Sequence, residues 1–218
     1  MRKLKSLLVA IMAFAMVMAM SSVAWAADQY KVDTNNQQGT ATVIFTRNCS
    51  ESNNDGQRWD GLSEIGEYLI PGLEKTTVTF DELDGMVKGY VPANTDNYFG
   101  NKVSVFDAIY YLGQDNKKVV TLDCGWGDAY TDSETGITKP AGAYVHNVNN
   151  QELESDYFVE DGTAYSIGTG FVVAVQKAGE TTPTFSDIYL SNVALEDGMT
   201  IYVDLGYYDY SWADNSNK

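Results

Sequence analysis

Clusters of glycine, asparagine and aspartate divide the chain into short runs that are rich in β-branched and aromatic residues. Runs of this kind, bounded by turn residues, are typical of β-strands. In one run, Ile201, Val203 and Leu205 alternate with other side chains, which is the two-residue period of a strand with one buried face. The pattern predicts at least six strands, at 40–46, 75–80, 118–122, 143–148, 171–176 and 200–205.

One segment has the period of a helix instead. Ser104 and Asp107 form a capping box at its start, and Gly113 supplies its stop. The apolar residues that line one face of this helix are Val105, Ile109 and Leu112. A second short helix is predicted at 81–85, and long polar loops are predicted at 48–60, 92–101 and 124–142.

These elements predict the α+β fold class, with a mostly antiparallel sheet and one principal helix packed on it. With 44% hydrophobic residues, the chain is apolar enough to build the core that such a fold requires. No internal repeat or low-complexity linker divides it. One domain is therefore predicted at 28–213, followed by a disordered tail at 214–218.

Residues 1–27 have the organisation of a secretory signal peptide. A basic head precedes an apolar run at 7–20, and Ala24 and Ala26 form the small-x-small pattern of a cleavage site. The apolar run is short for a membrane span of about 20 residues. The sequence therefore predicts cleavage of the leader, a secreted, extracellular location and no membrane insertion of the mature chain.

The charge of the chain limits its partners. The 14 Lys and Arg residues are outnumbered by 30 Asp and Glu residues, for a net charge of −16. Cleavage of the leader removes three basic residues and no acidic ones, so the mature chain has 11 basic and 30 acidic residues and a net charge of −19. Phosphate binding needs a basic face, and this composition therefore excludes nucleic acid as a partner.

The two cysteines, Cys49 and Cys124, belong to an exported chain in which oxidation is permitted. A disulfide between them would close a long loop and stabilise the fold by about 4 kcal/mol in the chain-entropy model. The sequence leaves open whether they pair. A metal site is not expected, because His146 is the single imidazole and no C-x-x-C spacing occurs.

Calcium binding by the acidic loops is also left open. The stretch that begins at Glu51 has oxygen ligands at spacings like those of an EF-hand, but Leu62 stands where the bidentate Glu belongs, which excludes that motif. Looser sites would use two sets of acidic residues, Asp55 with Asp60 and Glu64, or Asp128 with Asp132 and Glu134. Turns rich in Asn and Asp have the same composition without any ion.

Three motifs follow one another in the second half of the chain, namely NKVSVFDAIYYLG, GAYVHNVNNQE and LEDGMTIYVDL. In this order they resemble the signatures of transcobalamin C-terminal-like domains of exported bacterial proteins, over residues 103–205. The matching positions are Ser104, Val105, Asp107, Ala108, Gly142, Tyr144, Val145, Val148, Asn149, Asp197, Gly198 and Ile201. Asn150 departs from the pattern, which has glycine at this turn position.

The resemblance implies a small-ligand carrier as one function. In transcobalamins, such a domain covers one face of a corrinoid while a separate helical domain holds the other. A corrinoid or similar planar group would then occupy a cleft lined by Tyr144 and Phe171. The sequence itself identifies no cofactor.

No arrangement of residues predicts catalysis. The adjacent carboxylates Asp81, Glu82 and Asp84 are interpreted as an acidic helix start, since a chain with 30 acidic residues brings many carboxylates together by chance. A Ser-His-Asp triad would need His146, and the G-x-S-x-G elbow is absent. The sequence therefore predicts a protein that is not an enzyme and has no catalytic residues.

Aromatic residues carry the remaining functional signal. Trp59 and Trp126 lie beside glycine or acidic residues in predicted loops, where exposed rings stack on sugars or anchor protein partners. The candidate ligand-binding residues are Trp59, Trp126, Tyr144, Asn149 and Phe171. The predicted function is a secreted, non-enzymatic binding or adhesion module of the bacterial cell exterior, with an extracellular protein, glycan or small ligand as partner. The alternatives are a corrinoid-like carrier and an extracellular glycan or cell-wall hydrolase.

Overall fold

Three long strands form the centre of the fold, as shown by a computed structural model that describes residues 38–62, 67–83, 103–114, 117–132 and 136–214. The strands are β1 (Thr40–Asn53), β2 (Gly56–Trp59), β3 (Glu67–Tyr68), β4 (Thr76–Thr79), β5 (Leu122–Gly127), β6 (Tyr130–Thr131), β7 (Thr138–Lys139), β8 (Gly142–Val148), β9 (Ser155–Glu160), β10 (Thr163–Gln176), β11 (Thr184–Phe185) and β12 (Met199–Ala213). The helices are α1 (Phe80–Leu83) and α2 (Val105–Leu112), with a 3-10 turn at Leu190–Asn192.

The main sheet has the order β11-β10-β12-β1-β2. Three further strands pair with strands of this sheet: β9 pairs with β10, and β3 and β4 pair with β1. The β1 and β12 strands run parallel, with Phe45 opposite Val203, and all other described pairs in this sheet are antiparallel. Two smaller ribbons, β5–β8 and β6–β7, complete the strand structure.

The hydrophobic core lies between one face of the main sheet and α2. Alternate residues of the central strands, such as Phe45 and Val203, are almost fully buried on this face. Phe106 and Ile109 of α2 have no exposed surface and belong to the same cluster. The β5–β8 ribbon adds Val145 to this core.

The predicted helix is confirmed. Ser104 precedes α2, and its backbone N–H donates to Asp107 Oδ2 at 2.6 Å, while the Asp107 N–H donates to Ser104 Oγ at 3.2 Å. Both bonds of the capping box are therefore present, and Gly113 follows the last helical residue. The second predicted helix is present as α1, which begins at Phe80.

The predicted α+β fold class is wrong, because 54% of the structure is strand and the two described helices contain four and eight residues. The fold is dominated by its sheet, and α2 is a short element on one face. The error arises at glycine and polar residues that were interpreted as loops. Within the central strands, Gly170 lies directly opposite Gly206, and both strands continue through this pair.

Several predicted elements were correctly placed but too short. The predicted strands at 40–46, 171–176 and 200–205 lie inside β1, β10 and β12, and those at 75–80 and 143–148 coincide closely with β4 and β8. The strand predicted at 118–122 is instead β5, which begins at Leu122. The loop predicted at 48–60 contains the end of β1 and all of β2. That predicted at 124–142 contains most of β5 and all of β6 and β7.

Some predictions fall outside the described residues, namely the leader at 1–27, the loop at 92–101 and the tail beyond residue 214. Asp214 itself donates its backbone N–H to the carbonyl of Gly162 at 2.8 Å, so the hydrogen bonding of the sheet reaches that residue. Neither helix in the described part of the chain has the length and apolar character needed to cross a membrane.

Candidate functional site

A cleft opens beside β10, between the main sheet and the β5–β8 ribbon. Its lining is almost entirely apolar or aromatic, and no charged side chain of the described residues contributes to it. The lining residues are Gln57, Tyr144, Val145, Phe171, Val172, Val173, Phe185, Ser186, Ile188, Tyr189 and Leu190. The composition of the lining is that of small-molecule sites, which are mostly apolar with a few polar groups.

Two tyrosine rings form one wall of the cleft. Tyr144 of β8 and Tyr189 stack with their ring centroids 5.9 Å apart and an interplanar angle of 28°. The wall therefore combines a ribbon strand with the segment after β11. Because stacked rings offer a broad apolar surface with a polar hydroxyl at the edge, this wall suits a flat ligand.

Glycines in the β5–β8 ribbon leave the space that these rings occupy. A Cβ atom at Gly125 would lie 2.3 Å from Tyr144 Cζ, and a Cβ atom at Gly127 would lie 2.0 Å from the Tyr189 hydroxyl oxygen. Both distances are far shorter than van der Waals contact. The rings therefore lie across a strand that has no side chain at either position, which fixes the position of the aromatic wall.

Gln57 brings a hydrogen-bond acceptor to the cleft. It belongs to β2, which pairs with the end of β1. Its side-chain Oε1 is buried and accepts no hydrogen bond from the residues that the structure describes. Buried polar atoms are almost always hydrogen-bonded, so an unmatched acceptor in an apolar cleft favours a ligand that carries an N–H or O–H donor.

Burial keeps the tyrosines of the wall neutral. It raises the pKa of Tyr144, and the nearby carboxylate of Asp123 adds to the effect. It also raises the pKa of Tyr189, with smaller contributions from neighbouring tyrosines and Asp128. Both side chains are therefore phenols at neutral pH. With no charge in its lining, the cleft suits an uncharged group.

The structure brings together some of the predicted site residues. Tyr144 and Phe171 both line the cleft. Trp59 lies one ring away, because its centroid is 4.8 Å from that of Tyr202 and 6.4 Å from that of the lining residue Phe185. Trp59 therefore lies next to the cleft lining, on the side of Phe185. Its predicted position in a loop is wrong, since it is the last residue of β2.

The other two predicted site residues, like Trp59, lie outside the lining. Trp126 is a strand residue of β5, not a loop residue, and packs against the core, where its Nε1 has no hydrogen-bond partner among the described residues. Asn149 has a positive φ of 54° in the turn after β8, and its Oδ1 accepts from the Thr121 N–H at 2.8 Å. Asn149 therefore has a structural part in holding this turn.

The sequence analysis missed Gln57, Phe185, Ile188 and Tyr189. Phe185 belongs to a strand of two residues, and the segment that follows has no strand or helix period. Gln57 was placed in a loop. In the sheet, β1 and β12 separate β2 from β10, so Gln57 comes to the cleft only through the tertiary fold, and no local pattern predicts such an approach.

Cys49 and Cys124 are both free thiols in the structure, so the disulfide that the sequence left open is not formed in it. Cys49 is fully buried at the bulge of β1, while Cys124 packs against the core from the β5–β8 ribbon. Burial is the main cause that raises the pKa of Cys49 to about 11 and that of Cys124 to about 12. Both therefore stay protonated at neutral pH and are poor nucleophiles.

No cluster of three or more metal-ligating side chains occurs within the described ranges. Of the acidic sets considered for calcium, Glu64 and Glu134 lie outside those ranges. Asp60 Oδ1 accepts from Arg58 Nε at 2.8 Å and so forms an ion pair with this side chain.

Comparison with protein-family models, with curated proteins and with solved structures finds no match for this chain. The resemblance to transcobalamin C-terminal-like domains therefore stays a prediction from three short motifs.

Proposed function

We propose that the protein is an exported, non-enzymatic binding module that holds a small, uncharged, flat group in the cleft beside β10. The observation that carries the proposal is the unmatched Gln57 Oε1 in a lining that is otherwise apolar and aromatic. A ligand with an apolar face would contact Tyr144 and Tyr189, and a single donor would satisfy Gln57. The leader-like segment at 1–27 supports action outside the cell.

Binding of 2-naphthol and 2-methoxynaphthalene, measured by calorimetry, tests this function. The two probes have the same ring system, and only 2-naphthol carries a donor. We expect 2-naphthol to bind more tightly by about fivefold, since a net hydrogen bond is worth about 1 kcal/mol. Equal affinities, or no binding of either probe, would contradict the proposal.

Matched variants locate the binding. Gln57→Leu keeps the apolar lining and should abolish the preference for 2-naphthol. Trp126→Phe changes a ring outside the lining and should leave both affinities unchanged. The ring centroid of Trp59 is 6.4 Å from that of the lining residue Phe185, so binding should also alter the fluorescence emission of Trp59.

The alternative functions make different predictions. A corrinoid is larger than this cleft, so it would cover the opening and insert only a peripheral group, and the protein purified from culture fluid would absorb visible light. A hydrolase would release products from a glycan, and changing one carboxylate would abolish the release. The cleft lining contains no carboxylate, which favours binding over hydrolysis.

A second candidate function, glycan adhesion, is favoured by an exposed aromatic patch. The patch consists of Phe158 on β9, which is 37% exposed, and Tyr165 on β10, while Tyr157 and Val159 lie on the opposite face of β9 because the side chains of a strand alternate. Phe158 stacks on Tyr165 of β10 at a centroid distance of 4.8 Å. Exposed apolar patches mark interaction sites, and aromatic rings are the side chains that stack on sugars.

Carboxylates surround this patch and suit a glycan. Asp156 and Glu160 flank the three apolar residues of β9, and their oxygens can accept hydrogen bonds from sugar hydroxyl groups. Pull-down on insoluble peptidoglycan tests the candidate. Phe158→Ser should lose retention by more than tenfold, whereas Tyr144→Ala in the cleft should be retained like the unaltered protein. Equal retention of both variants would contradict it.

A further inference from the structure

Lys139 lies buried between two aspartates, and none of these three residues belongs to the cleft lining or to the aromatic patch. Its Nζ is 3.2 Å from Asp187 Oδ2 and 3.7 Å from Asp132 Oδ2. The side chains of Lys139, Asp132 and Asp187 are only 6%, 8% and 9% exposed. Such a group of ionisable side chains is expensive to bury, because each charge loses its hydration.

The charges in this cluster do not balance. One ammonium faces two carboxylates, and Asp187 Oδ1 is buried without a hydrogen-bond partner among the described residues. A buried ion pair is weak evidence for stability, and a buried oxygen without a partner adds a further cost. The cluster therefore contributes little to the stability of the fold, and stabilisation alone does not explain why it is present.

The geometry is suited to a reaction between the amine and a carboxyl group. The Lys139 amine and the Asp187 carboxylate are in ion-pair contact, with 3.2 Å between Nζ and Oδ2, and this contact places the amine beside the carboxyl carbon Cγ that it would attack. The second carboxylate, Asp132, is close enough to the amine to relay protons. The Tyr130 ring lies 5.7 Å from Lys139 Nζ, and its hydroxyl donates to the Asp187 carbonyl oxygen at 3.4 Å, so the ring covers the cluster.

We propose that Lys139 and Asp187 condense into an intramolecular isopeptide bond, with Asp132 as the proton-transfer group. Asp132 accepts a proton from the Lys139 ammonium and passes it to Asp187. The free amine attacks Asp187 Cγ, a carbon–nitrogen bond forms, and a carbon–oxygen bond of the carboxyl group breaks. The second proton leaves with that oxygen, so one ammonium and one carboxylate yield one amide and one water. No oxidant or cofactor is consumed.

Burial favours the amide over its hydrolysis. Water is the product that reverses the reaction, and the low exposure of the three side chains restricts its access. The condensation also removes two buried charges and turns the Asp187 carboxylate into a neutral amide, which lowers the cost of burying Oδ1. The bond would join β7 to the segment after β11 and so enclose β8, β9, β10 and β11 in one covalent ring.

Intact mass spectrometry of the reduced, mature protein tests the bond. We expect a mass lower than the sequence mass of the cleaved chain by one water, and a protease digest in which a peptide with Lys139 stays linked to one with Asp187. Lys139→Arg should restore the full mass. Lys177→Arg, which changes an exposed lysine paired with Glu196 at 2.7 Å, should keep the deficit.

The outcomes distinguish the bond from other losses of water. A full mass for the unaltered protein would overturn the proposal. A deficit that persists in Lys139→Arg would also overturn it, because water would then be lost elsewhere, as in an aspartate that cyclises on its own backbone. Asp132→Asn should give a mixture of linked and unlinked chains. The digest of the unaltered protein decides the question even where a variant fails to fold.

Discussion

Asp204 accepts a hydrogen bond from the Ser50 hydroxyl at 2.5 Å, on the face of the main sheet opposite the helix. Asp204 lies on β12 and has no exposed surface, and its other oxygen accepts from the Cys49 N–H at 3.3 Å. Burial raises the pKa of this carboxyl above its ordinary value, although the hydrogen bonds partly oppose this increase. The Asp204 carboxylate therefore lies against the bulge of β1, and its burial in the ionised form lowers the free energy of unfolding.

This burial predicts that stability falls as the pH rises. The folded state has the higher pKa, so between the unfolded value of 3.8 and the folded value it binds more protons than the unfolded state. The contribution of Asp204 to the free energy of unfolding therefore decreases as the pH rises through this window, by about 1.4 kcal/mol for each pH unit that the window spans.

Asp204→Asn should remove that part of the pH dependence, because an amide keeps an acceptor for Ser50 and does not ionise. Urea unfolding at several pH values between about 4 and 8 measures the slope. Asp161→Asn, at an exposed turn position, serves as the control and should leave the slope unchanged. A slope that is the same in Asp204→Asn and in the unaltered protein would show that Asp204 is not its source.

The aromatic wall predicts a strong effect of a single methyl group. Gly125→Ala would place a Cβ atom 2.3 Å from Tyr144 Cζ and so push the ring out of its position. We expect a loss of about 1–3 kcal/mol in the free energy of unfolding and loss of 2-naphthol binding. Calorimetric binding and urea unfolding measure the two effects.

Gly170→Ala is the matched control for Gly125→Ala. Gly170 also lies in a strand, but a Cβ atom there would meet Tyr208 at 3.8 Å, an ordinary contact. This variant should bind 2-naphthol like the unaltered protein. Equal losses in the two variants would mean that strand glycines in general, and not the position of Tyr144, explain the effect.

Local sequence signals predicted the helix and the core positions well. The Ser104–Asp107 box and the alternation at Ile201 and Val203 depend on neighbours in the chain, and both are confirmed. The lengths of the central strands were not predicted, because Gly170 and Gly206 are poor strand residues by themselves. They are accommodated here because each faces the other across the sheet.

The site was predicted only in part, because some of its residues come together only in the tertiary fold. Tyr144 and Phe171 were selected as aromatic residues in strands, and the fold brings both to the cleft. Gln57 carries the unmatched acceptor, but nothing in its local sequence differs from a polar turn residue. Its position at the cleft is a property of the tertiary fold, because β1 and β12 separate β2 from β10 in the sheet.

Glu82 predicts a pH effect of the opposite sign. Hydrogen bonds from the backbone and hydroxyl of Thr79, together with those from Lys117 and Tyr111, lower the pKa of Glu82 to about 2. The folded pKa is below the unfolded value of 4.5, so this contribution is present above about pH 4.5 and is lost as the pH falls toward 2.

Glu82→Gln should therefore destabilise the protein at pH 7, by less than about 1 kcal/mol because the side chain is partly exposed to solvent. The difference from the unaltered protein should shrink as the pH falls from 4.5 to 2. Thermal unfolding across this range measures it. Glu196→Gln, which breaks the ion pair with Lys177 alone, is the comparison and should have a smaller effect. A constant difference at all pH values would contradict the assignment to the Glu82 carboxylate.

The two buried thiols predict slow chemical modification of the folded protein. Because burial raises the pKa values of Cys49 and Cys124 to about 11 and about 12, only a very small fraction of either is thiolate at pH 8. We expect Ellman's reagent to leave both unmodified in the folded protein and to modify both in urea without a reductant. In the Cys124→Ser variant, Ellman's reagent in urea should modify one thiol, that of Cys49. If the unaltered protein in urea reacts only after reduction, the cysteines are paired and the free thiols of the structure are wrong.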